Sequence, residues 1–130
     1  MTAANRIVAE RMIHELHGAR VHGDLSGMVR LFAKDGRFEI AGASADKPIS
    51  IRATSLLAFQ PWLTIMVKVF RLSNYGLSSL IVEWPRAAVH WRADILSKVT
   101  GVTVPTELVD LVEIRDERFI IYSEFFVPRI

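Results

Sequence analysis

Four alternating segments follow one another through the second half of the chain with only short turns between them, and few folds accept that pattern. They cover 73–83, 86–97, 106–115 and 119–127. Alternation of period two predicts half-buried strands, and short connections imply antiparallel pairing. Trp84-Pro85 and Asp116-Glu117 supply turns, and Thr100-Gly101 marks the remaining loop. Asn74 and Gly76 make the start of the first strand irregular. The clearest strand is Thr106 to Arg115. One face carries Leu108, Asp110, Val112 and Ile114. The other carries Glu107, Val109, Leu111, Glu113 and Arg115. Asp110 is a lone carboxylate in an apolar row. Left charged and unpaired there, it would cost on the order of several kcal/mol. Such groups cluster at functional sites, so Asp110 is the candidate catalytic acid. A buried acid satisfied from the first helix, by His17 or a backbone N–H, is the alternative.

The first half predicts helices. Ile7, Val8, Met12, Ile13, Leu16 and Ala19 recur at helical spacing over 3–21, with Thr2 as cap. His14 and His17 read as a polar flank of that helix. Gly23 stops it, and Asp24 caps a second helix over 25–34. A turn at Asp35-Gly36 leads to a short strand, 37–41, with Phe38 and Ile40 on one face. A polar loop is expected over 42–48. A helix over 50–71 follows, capped by Ser50, with a kink or break near Gln60 because Pro61 interrupts it. Leu56, Leu57, Phe59, Trp62, Leu63, Met66 and Val69 give it a broad apolar face. Helices gathered on one face of an antiparallel sheet make an α+β domain, and 130 residues suit one domain, 1–130.

Hydrophobic residues make up 51% and charged residues 23%, which argues against disorder. The apolar surplus needs a cavity, an oligomer interface or both. With no Cys, there is neither a disulfide nor a thiolate metal site, a composition that permits a cytoplasmic location. The 16 basic and 14 acidic residues are scattered, which argues against nucleic acid as a partner. No apolar run is long enough for a membrane span, and Arg6, Glu10 and Arg11 interrupt any signal-peptide core. Phosphate-loop, dinucleotide and HExxH motifs are missing, so neither a cofactor nor a metal is expected.

Three stretches resemble the NTF2-like superfamily, in particular its SnoaL-like and ketosteroid isomerase-like members. They are Gly23-Asp24-Leu25-Ser26-Gly27 running to Leu31-Phe32-Ala33-Lys34-Asp35-Gly36-Arg37-Phe38, then Ala88-Val89-His90-Trp91-Arg92 with Thr100-Gly101, and Glu107-Leu108-Val109-Asp110-Leu111-Val112 running to Phe119-Ile120-Ile121 and Glu124-Phe125. The resemblance implies a cone-shaped α+β fold, with helices packed on a curved, mostly antiparallel sheet that encloses an apolar pocket. It implies that Asp110 faces inward, with Leu16, Phe38, Ile40, Trp62, Trp91, Ser123 and Phe125 lining the substrate site. Of three catalytic positions of the steroid isomerases only Asp110 is kept. Leu16 stands where the family has a tyrosine and Ile40 where it has the base, so steroid isomerisation itself is not implied. Cyclase- or isomerase-type acid–base chemistry on a small apolar, carbonyl-bearing molecule is. The alternative is a non-catalytic ligand binder, or an interaction module that dimerises through the outer sheet face. Limonene epoxide hydrolase, of the same superfamily, offers another arrangement, echoed by Arg92, Asp94 and Glu124. The alternation instead places those three on the outer face as ion pairs.

Overall fold

The computed structural model describes residues 2–44 and 47–129. Helix α1 (Ala3–His22) carries its buried stripe on Ala9, Met12, Ile13, Leu16 and Ala19. Thr2 caps its start, and Gly23 ends it in the left-handed conformation at φ 70°. Asp24 then accepts a hydrogen bond from the Gly27 N–H and caps α2 (Leu25–Val29). This second helix is shorter than its pattern predicts. Phe32 is claimed by the sheet, where it pairs with Phe119, while the Leu31 carbonyl accepts from the Phe119 N–H.

Strand β1 (Phe32–Ser44) extends through most of the expected loop and pairs with β2 (Lys47–Thr54). The part of that loop at Ala45 and Asp46 lies outside the described residues. The expected helix start at Ser50 is therefore replaced by strand. Ile49, Ile51 and Ala53 alternate with exposed Pro48, Ser50, Arg52 and Thr54, a half-buried edge pattern. Helix α3 (Leu56–Lys68) is capped by Ser55 instead. Pro61 lies inside it, yet the helix is continuous. The carbonyl that loses its partner belongs to Leu57, whose side chain is exposed, on the flank where water can replace the lost bond.

The remaining strands are β3 (Phe70–Glu83), β4 (Arg86–Ser97), β5 (Thr103–Arg115) and β6 (Arg118–Pro128). The sheet has the order β2-β1-β6-β5-β4-β3, curved and unclosed. β1 and β6 run parallel, and the other neighbours antiparallel. The chain folds as α+β, with α1 and α3 laid against the inner face. An aromatic stack fills one part of that interior. Phe38 lies flat between Phe59 and Tyr122, at centroid distances of 5.2 and 5.8 Å. Burying each such ring stabilises by about 1.5–3 kcal/mol.

One irregularity decides what faces inward. Ile114 pairs with Phe119, but the next pair is Glu113 with Ile121, so Ile120 is an extra residue in β6. A one-residue bulge moves every later side chain to the opposite face. Tyr122 and Glu124 are therefore buried, while Ser123 and Phe125 point outward. Ser123 and Phe125, expected to line the inner site, therefore leave it, and Glu124, expected on the outer face, enters it.

Candidate functional site

Helical spacing sets His17 and Arg20 on one face of α1, a single turn apart. Facing them are Asp110 of β5 and Glu124 of β6, direct partners across the sheet. The four polar side chains meet as two pairs inside an apolar core. His17 Nε2 lies 2.9 Å from Asp110 Oδ2. The Arg20 guanidinium donates through Nη1 to Glu124 Oε1. Neither pair is wet: His17, Arg20, Asp110 and Glu124 are all at most 4% exposed. Two hydroxyls extend the pairs. Tyr122 donates to Glu124 Oε1 at 2.7 Å, and the Tyr75 hydroxyl lies 2.6 Å from His17 Nδ1. Trp91 forms the floor, with its ring centroid 4.4 Å from that of His17 and 5.1 Å from the Arg20 guanidinium carbon.

The environment sets the proton affinities. Burial raises the Glu124 carboxyl above its ordinary value, Arg20 opposes that, and Asp110 reinforces it. Burial pushes the Tyr122 phenol well up, and the charges of Asp110 and Glu124 add to it. Burial, then Asp110, raises Tyr75 too. Burial works against the charge on Arg20, but Glu124, Tyr122 and Asp110 outweigh it and hold the guanidinium charged.

Tyr75 differs from the rest in being only part-buried. It stands where the β3–β4 register breaks, between Ser73 and Gly76, beside Asn74 at a positive φ of 51°. Bulges of this kind re-aim side chains. The result is a continuous line, Tyr75 hydroxyl to His17 imidazole to Asp110 carboxylate, running from the rim into the core. A carboxylate can only accept, so Nε2 of His17 carries its proton toward Asp110, which leaves Nδ1 of the neutral ring free to accept from Tyr75.

Solved structures share this architecture. A candidate isomerase from Bacillus subtilis superposes with a TM-score of 0.81 at 16% identity, covering 97% of this chain and 89% of that one. An NTF2-like protein of unknown function from Mesorhizobium loti gives 0.68 at 17% identity, over 97% and 95%. This chain has the NTF2-like fold. An LEH-like epoxide hydrolase from M. tuberculosis shares it, with a TM-score of 0.73 at 13% identity over 92% of this chain and 83% of that one. No family model and no curated protein matches the sequence.

In this NTF2-like cone, Asp110 and Trp91 come together at the polar line, and Leu16, next to His17 in the chain, is buried. Phe38 joins the aromatic stack, Ile40 is core, and Trp62 is half-buried on α3. Ser123 and Phe125 leave the inner site altogether. Ser123 lines a shallow outer depression of about 450 Å³ with Ile81, Arg86, Leu111 and Ile121. A second depression lies near Asp24, Arg30 and Lys68, and neither reaches Asp110. His17 is not a surface flank but the centre of the line, while His14 is exposed. The epoxide-hydrolase-like grouping does not assemble, because Arg92 is exposed, Asp94 is held by Asn74 at 2.6 Å, and Glu124 is buried inside. Among the described residues no group of three His, Cys, Asp or Glu could hold a metal, and no helix is long and apolar enough to cross a membrane.

The sequence pattern does not mark Arg20 or Tyr75 as site residues, and it brings in Glu124 only with Arg92 and Asp94, on the outer face. Arg20 had a signal, a charge four residues beyond Leu16 on the apolar stripe. Tyr75 had a weaker one, the Asn74 and Gly76 irregularity. Glu124 had none, because nothing in the local pattern announces the β6 bulge.

Proposed function

We propose that the chain catalyses proton transfer on a small, apolar, carbonyl-bearing molecule, with Tyr75 as the residue that meets the substrate. The observation that carries this is the unbroken line from Tyr75 through His17 to Asp110. A proton on the carbon beside the substrate carbonyl passes to the Tyr75 oxygen while the phenolic proton passes to His17 Nδ1. The substrate is left as an enolate. The imidazolium so formed faces the Asp110 carboxylate, which stabilises it. Reversal at the same or a neighbouring carbon gives exchange or isomerisation. Because the Tyr75 phenol holds its proton tightly, it serves as a relay and not as a standing phenolate. Asp110 thus orients and stabilises His17 instead of donating directly to the substrate.

The test is deuterium uptake. Protein in D2O is expected to speed exchange of the α-protons of 3-hydroxy-2-butanone or 2-butanone, followed by proton NMR. Tyr75→Phe keeps the ring and removes the relay, and should slow exchange by about 100-fold. Equal rates in the two proteins, or no protein-dependent exchange, would overturn the reading.

A second reading, as an interaction module, draws on a different observation. Ile81, Leu111 and Phe125 are large apolar side chains exposed on or beside the outer sheet face. We propose that a second copy of the chain covers this face, an arrangement compatible with the chemistry within.

A further inference from the structure

Asp110 and Glu124 bring two negative charges into the apolar interior, and Arg20 brings one positive charge. With His17 neutral, one negative charge is left uncompensated. The proton transfer proposed above turns His17 into an imidazolium, and the four charges then cancel. The cluster therefore suits the charged intermediate better than the resting state, which is the condition for lowering a barrier. Glu124 is what keeps this balance, because it is the acid that holds Arg20. The groups around it are few. Arg20 and His17 come from α1, Asp110 from β5, Tyr122 from β6, and Tyr75 of β3 is joined through His17. Among the described residues, His17, Arg20, Asp110 and Glu124 are the buried basic and acidic side chains. The neighbouring β1 turns the apolar Phe38 and Ile40 inward, and α3 the apolar Phe59 and Leu63.

We propose that Glu124 is a positioning residue for the relay: by holding and neutralising Arg20, it leaves the Asp110 carboxylate to His17. The inference rests on the proton-transfer reading above and names what regulates that site. Asp110 and Glu124 are direct partners across the sheet, which sets their Cβ atoms about 4.5–5.5 Å apart. At that spacing one guanidinium can serve either acid. Arg20 keeps a free donor, Nε, and Asp110 a free acceptor, Oδ1. Without a charge on Glu124, Arg20 turns to Asp110. Two cations then compete for one carboxylate, and the imidazolium has to form against a net positive charge. Protonation of Glu124 does the same as its removal. Burial raises that carboxyl above its ordinary value, against Arg20 and with help from Asp110. The charge is present above the raised value and is lost as pH falls through it. The relay thus closes on acidification sooner than an exposed glutamate would dictate.

The test follows α-proton exchange of 3-hydroxy-2-butanone in D2O across pH, beside a carbon NMR titration of the Glu124 carboxyl assigned through its bonds to the backbone. In the unaltered protein the rate should fall with the midpoint of that carbon. Glu124→Gln keeps the size and still accepts from Tyr122. It should exchange about tenfold or more slowly at neutral pH and lack the step in the pH profile. Adding Arg20→Gln to it should recover part of the loss, which a merely structural defect would not allow. Parental exchange in Glu124→Gln, a double variant slower than the single, or a Glu124 titration that leaves the rate unmoved overturns the proposal. The last of these needs no variant, so it decides even if the substitutions prevent folding. Exchange that persists in any of those cases leaves the relay standing. If none of the proteins exchanges, the relay falls, and the His17 Nε2 proton signal decides the positioning role. Movement in Glu124→Gln with return in the double variant supports it, and indifference to both overturns it.

Discussion

Asp110 and Glu124 are two carboxylates side by side in an apolar interior, and their surroundings send them different partners. Asp110 takes an imidazole and Glu124 takes a guanidinium. Each pair offsets a desolvation cost that an unpaired charge there could not bear. The same burial acts on both tyrosines of the chain. The phenols are raised above their ordinary value of 10, so between the unfolded and folded values the folded state holds more protons. That contribution is present below pH 10 and is lost as pH rises through the folded values. Phenolate absorbance at 295 nm and pH 10 should therefore be lower in native protein than in urea-unfolded protein, which at that pH shows about half of full ionisation. Half-ionised native protein would mean that neither phenol is buried as described. Asp110 itself was legible from the sequence, because one acid in an apolar row is hard to place elsewhere. Its partner was less legible. His17 reads first as a polar flank of the helix, and as a partner of Asp110 only in the alternative reading.

At the scale of elements, β4 was read to the residue and α1 to within one, because their periodicity and stop signals agree. The misreadings have local physical causes. Residues 47–54 were given partly to a helix, since Ile49, Ile51 and Ala53 are few and lie beside a helical run. The bulge at Ile120 is imposed by pairing with β5, a non-local cause that no window of β6 contains. Of the kink or break expected at Pro61, the break does not occur, because tertiary packing carries the helix through, with Phe59, Leu63, Met66 and Val67 all buried on its other side. That helix accepts the loss of one backbone hydrogen bond. Pro61→Ala should restore it and stabilise the fold by about 1–2 kcal/mol, less whatever chain entropy the proline removes from the unfolded state. Urea denaturation checks this. An unchanged or lowered midpoint would show that the proline is already strain-free.

The whole molecule has a polar line on one side of its sheet, buried except at Tyr75, and an apolar outer surface on the other. The outer surface follows from the same bulge, which turns Phe125 out beside Val109, leaving both more than a third exposed along with Leu111. If a second copy covers this face, sedimentation velocity at micromolar concentration should give a dimer, and Leu111→Lys should give a monomer of unchanged circular dichroism. A monomeric parent, or a variant that still dimerises, would remove the self-association reading and leave the interior chemistry untouched.

His17 joins Tyr75 to Asp110 in one hydrogen-bonded line. Side-chain nitrogen NMR of histidine-labelled protein at neutral pH tests it most directly. The His17 ring should be protonated at Nε2, with the Nδ1 resonance shifting in Tyr75→Phe and the Nε2 proton losing its hydrogen-bonded shift in Asp110→Asn. A His17 ring whose two nitrogens respond to neither substitution would contradict the line, and with it the proposed chemistry.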